Sequence, residues 1–156
     1  MSSVYIDSNP FIYTIEGEPE LADLLRELFA VLVATPGSAT TSELTLAEVL
    51  PKAPSETHRR MYLDLIVWSG VFDLRPVSRE ILLETANYRR NVSTMLPDGR
   101  NTMPKLPDAI HIVTAIQSGC QMLLTADERL KLPAKTKMKI IGTDRDSIIR
   151  LMRELA

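Results

Sequence analysis

The chain has 156 residues, 45% of them hydrophobic, and a formal net charge of −2. That length fits one domain spanning 1–156 with a core of its own, and the hydrophobic fraction excludes a disordered chain. The near-neutral charge gives no bulk signal of a nucleic-acid binder, so any such binding must come from local patches. The single cysteine, Cys120, rules out an intramolecular disulfide and fits a reducing cytoplasm. The longest apolar run, Leu28 to Ala34, is far short of the roughly 20 residues that span a bilayer. The N-terminus MSSVYIDS lacks a basic region followed by an apolar stretch, so no secretory signal is expected.

In chain order, Val4-Tyr5-Ile6 reads as a short buried strand. Asn9-Pro10 offers an N-cap followed by a first-turn proline. A second helix follows Pro19, with Leu21, Leu24, Leu25, Leu28 and Leu32 along one face, and Pro36-Gly37 breaks it. Ala39-Thr40-Thr41 reads as a brief strand, and Ser42 caps the helix carrying ELTLAEVL. Ser55 caps the next helix and Gly70 ends it. VFDLRPV reads as a strand, and Ser78 caps a helix reaching about Asn91. Three prolines and a glycine make the stretch from Val92 to Pro107 a loop or irregular arm. Asp108 opens a helix that ends before Gly119; MLLT and KMKII are strands, and the last helix begins near Asp144. Strand and helix in alternation imply an α/β three-layer sandwich around a mostly parallel sheet.

In open parallel sheets the functional crevice lies beyond the carboxyl ends of the strands. Asp7 follows the first strand directly, and Asp127 follows MLLT with only Ala126 between. Either alone reads as a turn or cap residue; two at one sheet edge read as a site. Glu48 sits in a helix whose other residues, Leu44, Leu46, Ala47, Val49 and Leu50, are apolar. A partly buried carboxylate there needs a partner or a metal. Glu43 lies about 140° away around the helix and points elsewhere. Asp108, from helix position alone, reads as a first-turn acid favoured by the helix dipole. Oxygen-only ligands select Mg²⁺ or Mn²⁺ over zinc. His58 and His111 are far apart in sequence; His111, one turn after Asp108, has a place near the site open to it, but reads first as a helix-face histidine bonded locally.

Four segments, YIDSNPFIY, TSELTLAEVL, LPDAIHIVTA and LLTADERL, together resemble the acidic motifs of PIN domains, in family order, from Tyr5 to about Ile141. The look is that of VapBC-type toxins. The resemblance implies that Asp7, Glu48, Asp108 and Asp127 form one catalytic metal site, with Asn9 and Thr125 as supporting polar residues. It also implies an Mg²⁺- or Mn²⁺-dependent endoribonuclease, often a homodimer and often held inactive by a small antitoxin. It is this likeness, not helix position, that brings Asp108 into the site.

An acidic site repels RNA, so basic residues must draw the backbone in. Arg89, Arg90, Arg100 and Lys105 precede Asp108, and Arg129, Lys131, Lys135, Lys137 and Lys139 follow Asp127. The plain reading of such runs is a solvated charged surface; their closeness to the motifs favours RNA contact. Two other classes stay open: a catalytically inactive PIN-fold interaction or RNA-binding module, and a phosphatase with an aspartyl nucleophile at Asp7. The second lacks the expected acid two residues on, where Asn9 stands.

Overall fold

A computed structural model describes residues 3–156; Met1 and Ser2, part of the N-terminal stretch read above, lie outside the described residues. Five short strands form one parallel sheet: β1 (Val4–Ile6), β2 (Ala39–Ser42), β3 (Phe72–Arg75), β6 (Met122–Leu124) and β7 (Lys139–Ile141), in the order β3-β2-β1-β6-β7. Every pairing in this sheet is parallel, so each connection crosses over, a loop without a helix joining β6 to β7, and the sheet is flanked by helices. These are α1 (Ser8–Glu16), α2 (Pro19–Ala34), α3 (Leu44–Val49), α4 (Glu56–Leu63), α5 (Arg79–Asn91), α6 (Leu106–Gln117) and α7 (Arg145–Leu155). The expected three-layer sandwich is what forms.

Alternation along the central strands separates two cores. Val4 and Ile6 of β1, with Met122 and Leu124 of β6, face a core built with Phe11, Leu25, Leu28, Tyr62, Ile148 and Leu151. Tyr5 and Leu123 face the opposite core, with Ile81, Tyr88, Ala109, Ile112 and Val113 of α5 and α6. The stripe read on α2 is the buried one: Leu24, Leu25, Leu28 and Leu32 are interior, and Leu21 is half-buried. No helix among the described residues is long and apolar enough to cross a membrane.

Several element ends differ from expectation. The cap of α1 is Asp7, not Asn9, because the helix begins as soon as β1 leaves the sheet; Pro10, lacking an N–H, is accommodated in its first turn. Ser42 Oγ accepts from the Leu44 amide at 3.0 Å, and the formal cap of α3 is Glu43, which is exposed and makes no side-chain capping bond. Ser55 and Ser78 cap α4 and α5 as read. After Leu63 the α4 helix widens into a π-helical turn, Asp64–Trp68, before Gly70 at φ +73° ends it. α6 begins at Leu106, with Asp108 in its first turn. The arm between α5 and α6 is a hairpin of two antiparallel strands, β4 (Thr94–Met95) and β5 (Asn101–Thr102), not a loop.

Candidate metal centre

Parallel pairing of β1 with β6 sets Ile6 beside Leu124, and the Asp7 amide donates to the Leu124 carbonyl at 3.1 Å. Asp7 therefore leaves the sheet level with Thr125. Asp7 is 6% exposed, and its carboxylate is held at both oxygens. Oδ1 accepts from the Ser8 amide at 2.7 Å, and Oδ2 accepts from the Thr125 hydroxyl at 2.9 Å. Such bonds compensate burial of an ionised carboxylate. Thr125 Oγ1 also accepts from the Asp127 amide at 3.1 Å, so one buried hydroxyl joins two of the sequence-selected acids.

A second chain of hydrogen bonds reaches the site from below. Tyr5 lies beneath the crevice, wholly buried, and its hydroxyl meets His111 Nδ1 at 2.6 Å. Burial foremost, then the charge of Asp7, push the Tyr5 pKa well up, so the phenol keeps its proton and donates it. In neutral His111 this leaves the ring proton on Nε2, which donates to Glu48 Oε1 at 2.5 Å; Asp7 Oδ1 is 3.4 Å from the same nitrogen. Burial disfavours an imidazolium here, but the Glu48 hydrogen bond and the charges of Asp7, Glu48 and Asp108 outweigh it and raise the His111 pKa. Glu48 is half-buried, its side chain 27% exposed, while Asp7 and His111 are interior. One ligand atom from each of Asp7, Glu48 and His111 lies within 4.8 Å of the others. His111 is thus central, where the sequence favoured local bonding over a place near the site. The available signal was its position three residues after Asp108, which puts both on one helix face.

Asp108 is close enough to feel its neighbours' charge. Burial, then the charges of Asp7 and Asp127, raise its pKa, against weaker opposition from His111 and Lys105. Asp127 stands further out, its Oδ1 accepting from the Arg129 amide at 3.0 Å. Asn9 lines a shallow surface depression with Asp127, Glu128 and Arg129.

The basic candidates divide. Lys105, Arg129 and Lys131 line the cleft that contains Asp108. Arg89 instead bonds the Pro104 carbonyl through Nε at 2.9 Å, fastening the hairpin to α5. Arg100 pairs with Asp98 at 2.6 Å at the hairpin tip, and Arg90 is exposed and lines none of these clefts.

Solved structures share this architecture at low sequence identity. Mycobacterium tuberculosis VapC20, described as a sarcin–ricin loop cleaving toxin, matches with a TM-score of 0.58 and 16% identity, over 78% of this chain and 87% of that one. VapBC2 from Rickettsia felis, bound to a DNA fragment from its promoter, matches at 0.64 and 16%, over 89% and 97%. A toxin–antitoxin complex from Klebsiella pneumoniae matches at 0.61 and 22%, over 91% and 98%. No curated protein matches the sequence. The PIN domain model matches residues 4–135, and the chain belongs to the PIN-domain family.

Proposed function

We propose that this chain is a toxin-type PIN nuclease that hydrolyses RNA phosphodiester bonds with Mg²⁺ or Mn²⁺. The observation that carries the reading is the clustering of Asp7 and Glu48 around His111, with Asp108 within reach of their charge. Like charges drawn together and partly desolvated are costly without a cation. The donor set fits a hard cation. Both nitrogens of His111 are engaged, by Tyr5 and Glu48, which leaves carboxylate oxygens to bind. Asp7, Glu48 and Asp108 would hold the ion, and Asp127 would hold a second one directly or through water. Bound there, a divalent cation lowers the pKa of a water and offsets charge on the phosphate oxygens.

The chain's own residues prepare that chemistry. Ser8 and Thr125 fix both oxygens of Asp7, and His111 orients Glu48. Lys105, Arg129 and Lys131 supply the positive charge that brings a phosphate backbone to an acidic crevice. The neighbours solved as VapBC or toxin–antitoxin complexes support a small antitoxin as partner. A homodimer of one-domain chains in the cytoplasm completes the reading.

Purified protein should cleave RNA with Mg²⁺ or Mn²⁺ and stop in EDTA, and Asp7→Asn or Glu48→Gln should abolish cleavage while keeping the fold. Undiminished cleavage in EDTA would refute the metal mechanism. An inactive interaction module predicts equal effects on cell growth for wild type and Asp108→Asn, whereas the nuclease predicts toxicity from wild type alone.

A further inference from the structure

The peptide unit leading into Asp7 is gripped from both sides. β1 stays paired with β6 through Ile6 and Leu124, but its pairing with β2 ends one residue earlier, at Tyr5 and Thr40. On the β6 side the Asp7 amide donates to the Leu124 carbonyl at 3.1 Å. On the other side, past the end of the ladder, a side chain takes over: Thr41 Oγ1 donates to the Ile6 carbonyl at 2.8 Å. The Ile6 carbonyl and the Asp7 amide belong to one planar unit, so the two bonds fix its orientation and with it the root of the Asp7 side chain. Thr41 Oγ1 also lies 2.9 Å from Thr45 Oγ1. A hydroxyl has one proton to give, and that of Thr41 goes to the carbonyl, so Thr45 is the donor to Thr41. Thr45 stands in the first turn of α3, three residues before Glu48 and on the same helix face. Both threonines are fully buried, away from competing water.

We infer that Thr41 and Thr45 are positioning residues, a buried hydroxyl relay that fixes the spacing of Asp7 and Glu48 and so favours Mg²⁺ over the larger Ca²⁺. The inference rests on the proposed metal site and adds to it the choice of ion. Ser8, Thr125 and His111 orient the carboxylate groups, whereas the relay acts on the backbone that carries them. It ties the end of β1 to the head of α3, which are joined along the chain only through α1, α2 and β2. Mg²⁺ demands near-ideal ligand placement at about 2.0–2.1 Å, while Ca²⁺ accepts about 2.3–2.6 Å in flexible geometry. A rigid spacing therefore serves the smaller ion, and slack between the two acids penalises that ion first.

Mg²⁺ and Ca²⁺ affinities are measured by calorimetry on the purified chain without RNA, for wild type, Thr41→Val, Thr45→Val and Thr41→Ser. Thermal melts check that each variant folds. Thr41→Val removes both bonds of the relay. Thr45→Val breaks the tie to α3 and leaves the Ile6 carbonyl its partner. Both valine variants should lose Mg²⁺ affinity by about tenfold, the usual scale for residues that support metal ligands, with a smaller loss for Ca²⁺. Thr41→Ser keeps the hydroxyl and should keep the wild-type ratio of the two affinities. Threonines that serve the fold alone would shift the melting temperature and leave that ratio unmoved. Should Thr41→Val fail to fold, Thr45→Val decides. An unchanged ratio in Thr45→Val, or a Thr41→Ser as impaired as a folded Thr41→Val, overturns the inference and leaves the metal site standing. Wild type that binds neither ion sinks the metal reading itself, and the relay's role with it.

Discussion

The Thr125 hydroxyl donates to Asp7 Oδ2 at 2.9 Å, linking the ends of two adjacent parallel strands by a side chain. Thr125 Oγ1 in turn accepts from the Asp127 amide. Thr125→Val keeps the shape and removes both bonds. It leaves a buried carboxylate oxygen and an amide short of a partner, which costs about 1–3 kcal/mol. Mn²⁺ affinity, measured by calorimetry, should fall about 10–100-fold, as when other residues that orient metal ligands are lost. Unchanged affinity would show that Asp7 is oriented without Thr125.

His111→Phe should separate support from ligation. The variant strands the Tyr5 hydroxyl in the core and frees Glu48, with an expected loss of about 1–3 kcal/mol in denaturant unfolding. Tyr5→Phe, which keeps the ring packing, should cost about 1 kcal/mol. If His111 acts by orienting Glu48, both variants should reduce Mn²⁺ affinity, His111→Phe the more. A loss confined to His111→Phe would point to direct ligation by the imidazole.

Asp108 carries a stability penalty that depends on pH. Its pKa is raised by burial and by Asp7, so the folded state holds the proton more tightly than the unfolded chain. Below the ordinary carboxylate range, under about pH 3, both states are protonated and the penalty is absent. It grows as pH rises through the ordinary value and is complete above the folded one. Asp108→Asn should therefore raise Tm at pH 7 and leave it unchanged at acid pH. Saturating Mn²⁺ should stabilise wild type more than the variant.

Asp144 shows the opposite sign at an unrelated place. It caps α7, with Oδ2 accepting from the Ser147 amide at 3.0 Å. The hydrogen bonds from Ser147, side chain first and then backbone, hold its pKa below the usual value. The stabilisation is present above the ordinary carboxylate pKa, about 4, and is lost as pH falls through the folded value. Asp144→Ala should cost about 1 kcal/mol at pH 7, and the deficit in chemical denaturation should shrink in acid.

Much of this architecture was readable because the central strands and α2 follow strong local patterns. The end of β1 was readable too, yet its consequence for α1 was not. Asp7 and Asn9 are both good caps, and the choice between them follows from where pairing with β6 stops. The hairpin was hidden because its strands have two residues each, all exposed, with no alternation to detect. Asp7, Glu48 and Asp127 stood out by strand end or apolar setting. His111 was legible only as a neighbour of Asp108 on one helix face; its role was not, because its partners Tyr5 and Glu48 lie 106 and 63 residues away and meet it only in the folded chain.

Because β1 sits in the middle of the sheet, with β2 and β6 on its flanks, Asp7 hangs from the best-protected part of the fold. Amide exchange at Tyr5, Ile6 and Leu124 should then require global opening, whereas the hairpin and the Lys131–Lys135 loop should exchange by local opening. The acid cluster would persist until the molecule unfolds as a whole. The hairpin should open many times within that lifetime, beside a site that stays assembled.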